Sequence, residues 1–262
     1  MSPKPDLHEP RAKIVRAFEH REQFDDALYR WTARRPIGIR QERDAGGWTN
    51  MIYVEREPIP LRAGAIFADL VNNLESTLDL LVVQLVIASG NTPSPGNCFP
   101  VVTDPARWER ERREKLKGVK DGWADVIHDV QPFEDAPNAY KHSLVVLHSS
   151  NKMNKHSVLM PAVVRNMEWE PTFQLNRDAR AGEYAVSELD PFGTGSKLRN
   201  GDVLVRVRVE SATGDLAIAR FASEDIPAAV DIGWDDVPVG FEPGDEFPDL
   251  LGYVVSVLDV FK

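Results

Sequence analysis

RAGAIFADLVNNLESTLDLLVVQLVIAS (residues 62–89) repeats an apolar side chain at every third or fourth position: Ile66, Leu70, Leu74, Leu78, Leu81 and Leu85. Phe67, Val71, Val82 and Val86 widen that stripe. The spacing predicts one long helix with a broad apolar face, the spine of a helical core. Ser89-Gly90-Asn91 ends it, and Pro93 and Pro95 keep it ended. Asp69, Asn72, Asn73, Glu75 and Asp79 interrupt the apolar run. Such groups are costly in lipid, so the expectation is a core helix and no membrane partner.

Working outward from this helix, residues 9–32 read as an amphipathic helix, with Ile14, Phe18, Leu28 and Trp31 near one stripe. RPIGIRQ and MIYVERE flank DAGGW, a hairpin pattern over residues 37–57. On the other side, Asp104 followed by Pro105 predicts the start of a charged helix that closes at Gly118. A short helix follows near residues 122–130, and a further amphipathic one over 138–155, with Tyr140, Leu144 and Leu147 in register. After His156 the period changes. Val203, Val205, Val207 and Val209 alternate with other residues, and Thr213-Gly214-Asp215 predicts a hairpin into LAIARF. Residues 184–189 are a further strand. Residues 190–201 and the Pro-, Gly- and Asp-rich 227–246 read as irregular, and 247–261 as a closing helix. Strands and helices are segregated, so the fold class is α+β: a helical bundle with an appended antiparallel β region and a C-terminal helix. The expected organisation is an N-terminal helix and hairpin (1–60), a helical core (61–156) and a β region with closing helix (157–262), joined in one domain.

Composition limits the chemistry. The chain has 262 residues and a net charge of −10. Residues 161–262 hold 9 basic against 19 acidic side chains, which accounts for all of it. That half repels a phosphate backbone. A single cysteine, Cys98, excludes a disulfide framework and a multi-cysteine zinc site, and fits a reducing cytoplasm. The N-terminus shows no secretory signal pattern. Four histidines lie in 128–156, but none are paired at the spacing of a helical metal motif, so no metal and no cofactor is expected. GTGSK (193–197) lacks the spacing of a phosphate-binding loop. RWERERREKLKGVK (107–120) holds seven basic and three acidic residues. It fits either a surface for RNA or an acidic partner protein, or a solvated helix laced by ion pairs.

The candidate site lies where two helices carry polar residues in line with apolar ones. Asp69, Asn72, Asn73, Ser76 and Asp79 share a stripe on the 62–89 helix. On the 138–155 helix the core stripe runs on into Asn151 and then Asn154 or Lys155. Polar groups so placed need partners. The expectation is a network in which Asn73, Ser76 and Asp79 meet NKMNKH (151–156), with Asp79 pairing Lys155 or His156. A purely structural ion pair at the helix end explains the same residues.

VNNLESTLDLLVVQLV (71–86) resembles a group of bacterial proteins whose corresponding helix reads approximately LHNLRSALDHLVWQLV. That group continues with a Gly/Pro loop ending in Phe-Pro, here ASGNTPSPGNCFP (88–100). It then has a Gln-Pro-aromatic, here Gln131-Pro132-Phe133, and a helix ending near Asp-Lys-His-Arg, here LHSSNKMNKHSVL (147–159). The resemblance covers residues 62–160. Asn73, Ser76, Leu78, Asp79, Gln84, Lys155 and His156 agree with it, whereas Glu75, Asn154 and Ser157 depart from it. The helical part of the group is similar to HEPN-type bundles of toxin–antitoxin and phage-defence systems. The resemblance implies a homodimer and an RNA-directed role. A nuclease of this type would use His156 as general acid or base, Lys155 or Lys152 to stabilise phosphate charge, and Asp79 to orient His156. Asn73, Ser76, Asn151 and Asn154 would line the site. Asn151 stands where such ribonucleases carry Arg, and an amide does not replace a guanidinium on a phosphate. The alternative is a non-enzymatic interaction or ligand-binding protein in which these residues form a structural network.

Overall fold

The chain folds into six helices and eight strands among the described residues: α1 (His8–Thr32), β1 (Ile37–Arg43), β2 (Thr49–Glu55), α2 (Leu61–Ala88), α3 (Trp108–Lys115), α4 (Asp121–Asp129), α5 (Ser143–His156), β3 (Ala162–Asn166), β4 (Phe173–Leu175), β5 (Tyr184–Pro191), β6 (Val203–Ser211), β7 (Ala219–Phe221), β8 (Ala228–Ile232) and α6 (Leu250–Asp259). The computed structural model describes residues 4–135, 138–156, 162–166, 173–175, 184–191, 198–211, 219–221, 228–232 and 249–262. Side chains are described for 4–135, 138–139, 141–153, 198–208 and 249–262. The architecture is α+β, as the segregated periodicities predict.

The long apolar helix is the centre of the core. Val71, Leu74, Leu81, Val82 and Leu85 of α2 are fully buried, each worth about 1.5–3 kcal/mol of transfer from water. By length and composition alone α2 could cross a membrane, yet 56% of its most apolar window is buried inside the protein. α1, α5 and α6 pack on it. Phe24 meets Phe67 at 5.7 Å, and the Trp31 indole donates to the Glu57 carbonyl at 3.1 Å, so the end of α1 lies against the start of α2. At the far end Gly90 takes φ +82°, a left-handed conformation that suits glycine. Its N–H reaches Ile87 O and the Asn91 N–H reaches Val86 O, which closes the helix with a Schellman motif.

The N-terminal hairpin and the late strands share one sheet of order β1-β2-β6-β5, antiparallel throughout. Gly47 at φ +82° makes the tight β1–β2 turn, and Asp44 Oδ1 accepts the Trp48 N–H at 3.0 Å. β3 pairs with β8, and β4 with β7. Five expectations change here. β6 and LAIARF do not pair with each other: β6 has β2 and β5 on its two edges, which leaves no edge for β7. Ala228–Ile232, expected to be irregular, forms β8, and β5 runs on to Pro191. The charged helix begins at Trp108, after a 3-10 turn at Pro105–Arg107 capped by Asp104. Phe18 does not join the buried stripe of α1 but is half exposed. Ile14, Ala17, Phe24 and Trp31 fill that face, and Phe18 falls outside it.

α5 starts at Ser143 rather than 138 because His142 acts as its cap. His142 Nδ1 accepts the Leu144 N–H at 3.2 Å, and the His142 carbonyl accepts from Val146. His142 Nε2 then faces the Tyr253 hydroxyl of α6 at 3.2 Å, which donates to Val130 O at 3.2 Å. An acceptor Nδ1 requires the neutral imidazole with its proton on Nε2. Burial accordingly lowers the His142 pKa from 6.5, against a smaller opposing effect of Asp135. Burial, and after it the Asp135 charge, push the Tyr253 phenol up to about 12, so it stays a donor. Because the unfolded chain takes up the His142 proton at the higher pH, stability is full above about pH 6.5 and falls as pH drops through the native value. His142→Asn keeps a capping acceptor and removes the titration. Thermal midpoints measured from about pH 8 to about pH 5 are expected to fall more steeply for wild type than for His142→Asn. Equal slopes would refute the assignment.

Candidate functional site

Polar residues of α2 and α5 meet in a seam, and the contact seen among the described side chains is one that the sequence did not announce. Across it, His148 Nδ1 lies 2.7 Å from Glu75 Oε1. The Glu75 side chain is 19% exposed and that of His148 51%. The carboxylate holds the proton on Nδ1 and turns Nε2 away from the contact. At this exposure the pair contributes only about 0–1 kcal/mol, so its effect is orientation rather than stability.

Around this pair the α2 stripe is largely committed to structure. Asn73 is buried and donates to the Asp69 carbonyl of its own helix at 2.7 Å. Thr77, fully buried, donates back to Asn73 O at 2.9 Å. Asp79 Oδ1 accepts the Phe99 N–H at 2.9 Å and so pins the loop after α2. Ser76 is part-buried. On α5, Asn151 is 1% exposed, and its amide nitrogen has no hydrogen-bond partner among the described residues. Lys152 is exposed. α5 runs through Asn154, Lys155 and His156, but their side chains lie outside the described ones, and with them the expected Asp79 pairing to Lys155 or His156.

A basic segment adjoins the seam. The loop pinned by Asp79 also carries Asn97, whose amide donates to the carbonyls of Lys115 and Lys117, both at 3.0 Å. Between them sits Cys98, half-buried. Burial pushes its thiol up, Lys115 draws it down, and the charges of Asp79, Glu75 and Glu111 push it up again. A protonated thiol is a poor nucleophile. On α3 and its flank, Glu111 is the hub: Arg110 at 2.8 Å, Lys115 at 3.2 Å and Arg107 at 3.3 Å all converge on it. The Arg110 hydrogen bond first, then those with Lys115, hold its carboxyl down at about 2 despite burial. Arg112 pairs with Asp121 at 2.6 Å. Arg113 and Lys117 remain exposed, with no ion pair among the described residues. The charged run is therefore laced as a solvated helix would be, with a residue of positive charge left over.

The Gln-Pro-Phe motif forms a structural knot. Gln131 is 1% exposed; its Oε1 accepts the Val102 N–H at 3.0 Å and its Nε2 donates to Ile127 O at 3.1 Å. Phe133 packs edge-on against Trp108 and His128. Glu75 and His148 are the residues that sequence reasoning passed over. Their signal was present: Glu75 precedes Asp79 by one turn, and His148 precedes Asn151 by one turn on the in-line stripe of α5. No group of three or more His, Cys, Asp or Glu side chains suited to a metal occurs among the described residues. Comparison of the chain with protein-family models, curated proteins and solved structures gives no match.

Proposed function

We propose that the chain is an RNA-directed protein with a HEPN-like helical core, and that its reactive group is His148 rather than His156. The observation that carries this reading is the Glu75–His148 contact of 2.7 Å on a half-exposed seam. A carboxylate on Nδ1 orients the ring and leaves Nε2 as the nitrogen that accepts a proton. In RNA cleavage that proton comes from the 2′-hydroxyl. The 2′-oxygen bonds to phosphorus as the bond from phosphorus to the 5′-oxygen breaks, and the 5′-oxygen takes a proton from water, giving a cyclic phosphate and a free 5′-hydroxyl. Arg113 and Lys117, on the segment tied to the seam through Asn97, are the cations suited to the phosphates. The resemblance of residues 62–160 to HEPN-bearing bacterial proteins supports a toxin or defence setting. The test is cleavage of single-stranded RNA by wild type, His148→Ala and His156→Ala. Loss in His148→Ala alone supports the assignment. Loss in His156→Ala alone moves the reactive group back to the end of α5, and absence of wild-type cleavage removes the nuclease reading.

A second reading is favoured by Asp79, Asn73 and Gln131, which all spend hydrogen bonds on backbone groups. In it the residues shared with the bacterial group hold loops and helix ends, and the protein binds its partner without chemistry. RNA binding without cleavage in the same assay supports this reading.

A further inference from the structure

We propose that the start of α4 carries a base-binding subsite, in which an unpaired RNA base stacks on the Trp123 indole while the Lys120 ammonium meets the adjoining phosphate. This placement rests on the RNA-directed reading of the same seam, and gives the bound strand a path and a class. The path follows one stripe of α2. Glu75, Asp79, Val86 and Ser89 recur at spacings of four, seven and three residues, which returns each to the same side of the helix. Each meets a later part of the chain. Glu75 meets His148, and Asp79 holds the Phe99 N–H. Val86 lies against Gly118, where an added Cβ would come within 3.3 Å of Val86 Cγ1. Ser89 Oγ accepts the Lys120 N–H at 3.0 Å. The seam, the loop after α2 and the basic segment therefore succeed one another along one face. From Glu75 to Ser89 the helix rises about 21 Å, so a strand of several nucleotides is needed to reach both ends.

Charge along this path suits a phosphate chain. Residues 112–120 hold five basic side chains against one acidic. Arg112 and Lys115 are paired with Asp121 and Glu111, whereas Arg113, Lys117 and Lys120 have no ion pair among the described residues. Their backbone is anchored, since Asn91 donates to Gly118 O at 2.8 Å and Asn97 to Lys115 O and Lys117 O. Cations on an anchored backbone lose little freedom on binding. Trp123 stands at the end of the track, part-buried against the core, with Lys120 Nζ 5.2 Å from its ring centre. Asp125 lies two residues on, about 200° round α4 and so on its other side. Trp108, the other tryptophan of the region, is buried and cannot take a base. Besides the ring, Lys120 Nζ has only Ala88 O, at 3.5 Å, among the described residues. Both holds are weak, so the ammonium can turn to a phosphate as a base takes its place on the ring. An aromatic ring beside cations holds single strands with little regard to sequence. A base stacked inside a duplex has no free face, so the subsite selects unpaired RNA.

Fluorescence anisotropy with a labelled, unstructured single-stranded RNA tests this in a His148→Ala parent, so that binding is read apart from cleavage. Far-UV circular dichroism checks that each variant is folded. Trp123→Leu keeps apolar packing and removes the ring; it is expected to bind the single strand about 5- to 150-fold more weakly than the parent, the loss of one stacked base. Trp123→Phe keeps a ring and is expected to recover most of that loss. Neither change is expected to alter binding of a duplex of the same length. Lys120→Gln leaves the packing of Trp123 in place, and is expected to weaken single-strand binding and lower its salt dependence by about one phosphate contact. Single-strand binding untouched by Trp123→Leu or by Lys120→Gln overturns the subsite while RNA binding stands. So does a Trp123→Leu loss that is as large on the duplex, or one that Trp123→Phe fails to recover. A parent that binds neither RNA removes the RNA-directed reading, and the subsite with it.

Discussion

His148→Ala is expected to cleave single-stranded RNA about 10²–10⁴-fold more slowly than wild type, the range spanned by a positioned general acid or base. Glu75→Gln is expected to lose less, and in kcat rather than in KM. The carboxylate meets Nδ1, so its removal releases the ring from one tautomer and orientation. A structural role for the pair makes a different prediction. The side chains are partly exposed, and breaking a pair of this kind costs about 0–1 kcal/mol. Both variants should therefore unfold close to wild type in urea. Activity lost with the fold intact supports the catalytic assignment. Full activity in His148→Ala shows that the imidazole takes no part.

The spine of the fold was legible because one long helix states its own period. Leu70, Leu74, Leu78, Leu81 and Leu85 are buried at the spacing that announced them, and the Gly-Gly turn announced the first hairpin. Strand partners were not legible. Alternation in Val203–Val209 says that a strand exists and which residues share a face, but an edge carries no sequence label. β6 took β2, more than a hundred residues earlier in the chain, in place of its neighbour β7. Phe18 was misread because a helix of alternating charges leaves several stripes equally plausible, and only the position of α2 decides which is covered.

The site was half legible, for a related reason. The in-line placement of Asn151 correctly announced a buried polar group on α5. Which residue of α2 lies across from which residue of α5 depends on helix register, and the sequence pattern did not single out Glu75 and His148 as the residues that face each other. The shared motifs gave a similar lesson. Asp79, Phe99 and Gln131 recur in the resemblance, and the structure has them fastening the loop that joins α2 to α3. Fastening that loop fixes Asn97 and, through it, the basic end of α3 beside the seam.

Gln131 carries the largest expected effect on stability. Its side chain is the sole partner provided for the Val102 N–H among the described residues, and it meets Ile127 O at the same time, in a fully buried setting. Gln131→Ala removes both bonds and opens a cavity. A buried backbone group left without a partner costs about 1–3 kcal/mol, and truncation of a buried side chain adds a cavity penalty. Together these lower the unfolding free energy by about 3–5 kcal/mol. Gln131→Met separates the two causes, since methionine refills the volume but cannot satisfy Val102 or Ile127. If hydrogen bonding dominates, Met and Ala unfold at nearly the same urea concentration. If packing dominates, Met recovers most of the loss. The same experiment reads out the loop. Hydrogen exchange at Val102 is expected to accelerate in both variants well beyond the change in global stability, because that amide then opens locally without unfolding the helices. Unchanged protection at Val102 in both proteins would mean that the loop is held by Asp79 and Asn97 alone.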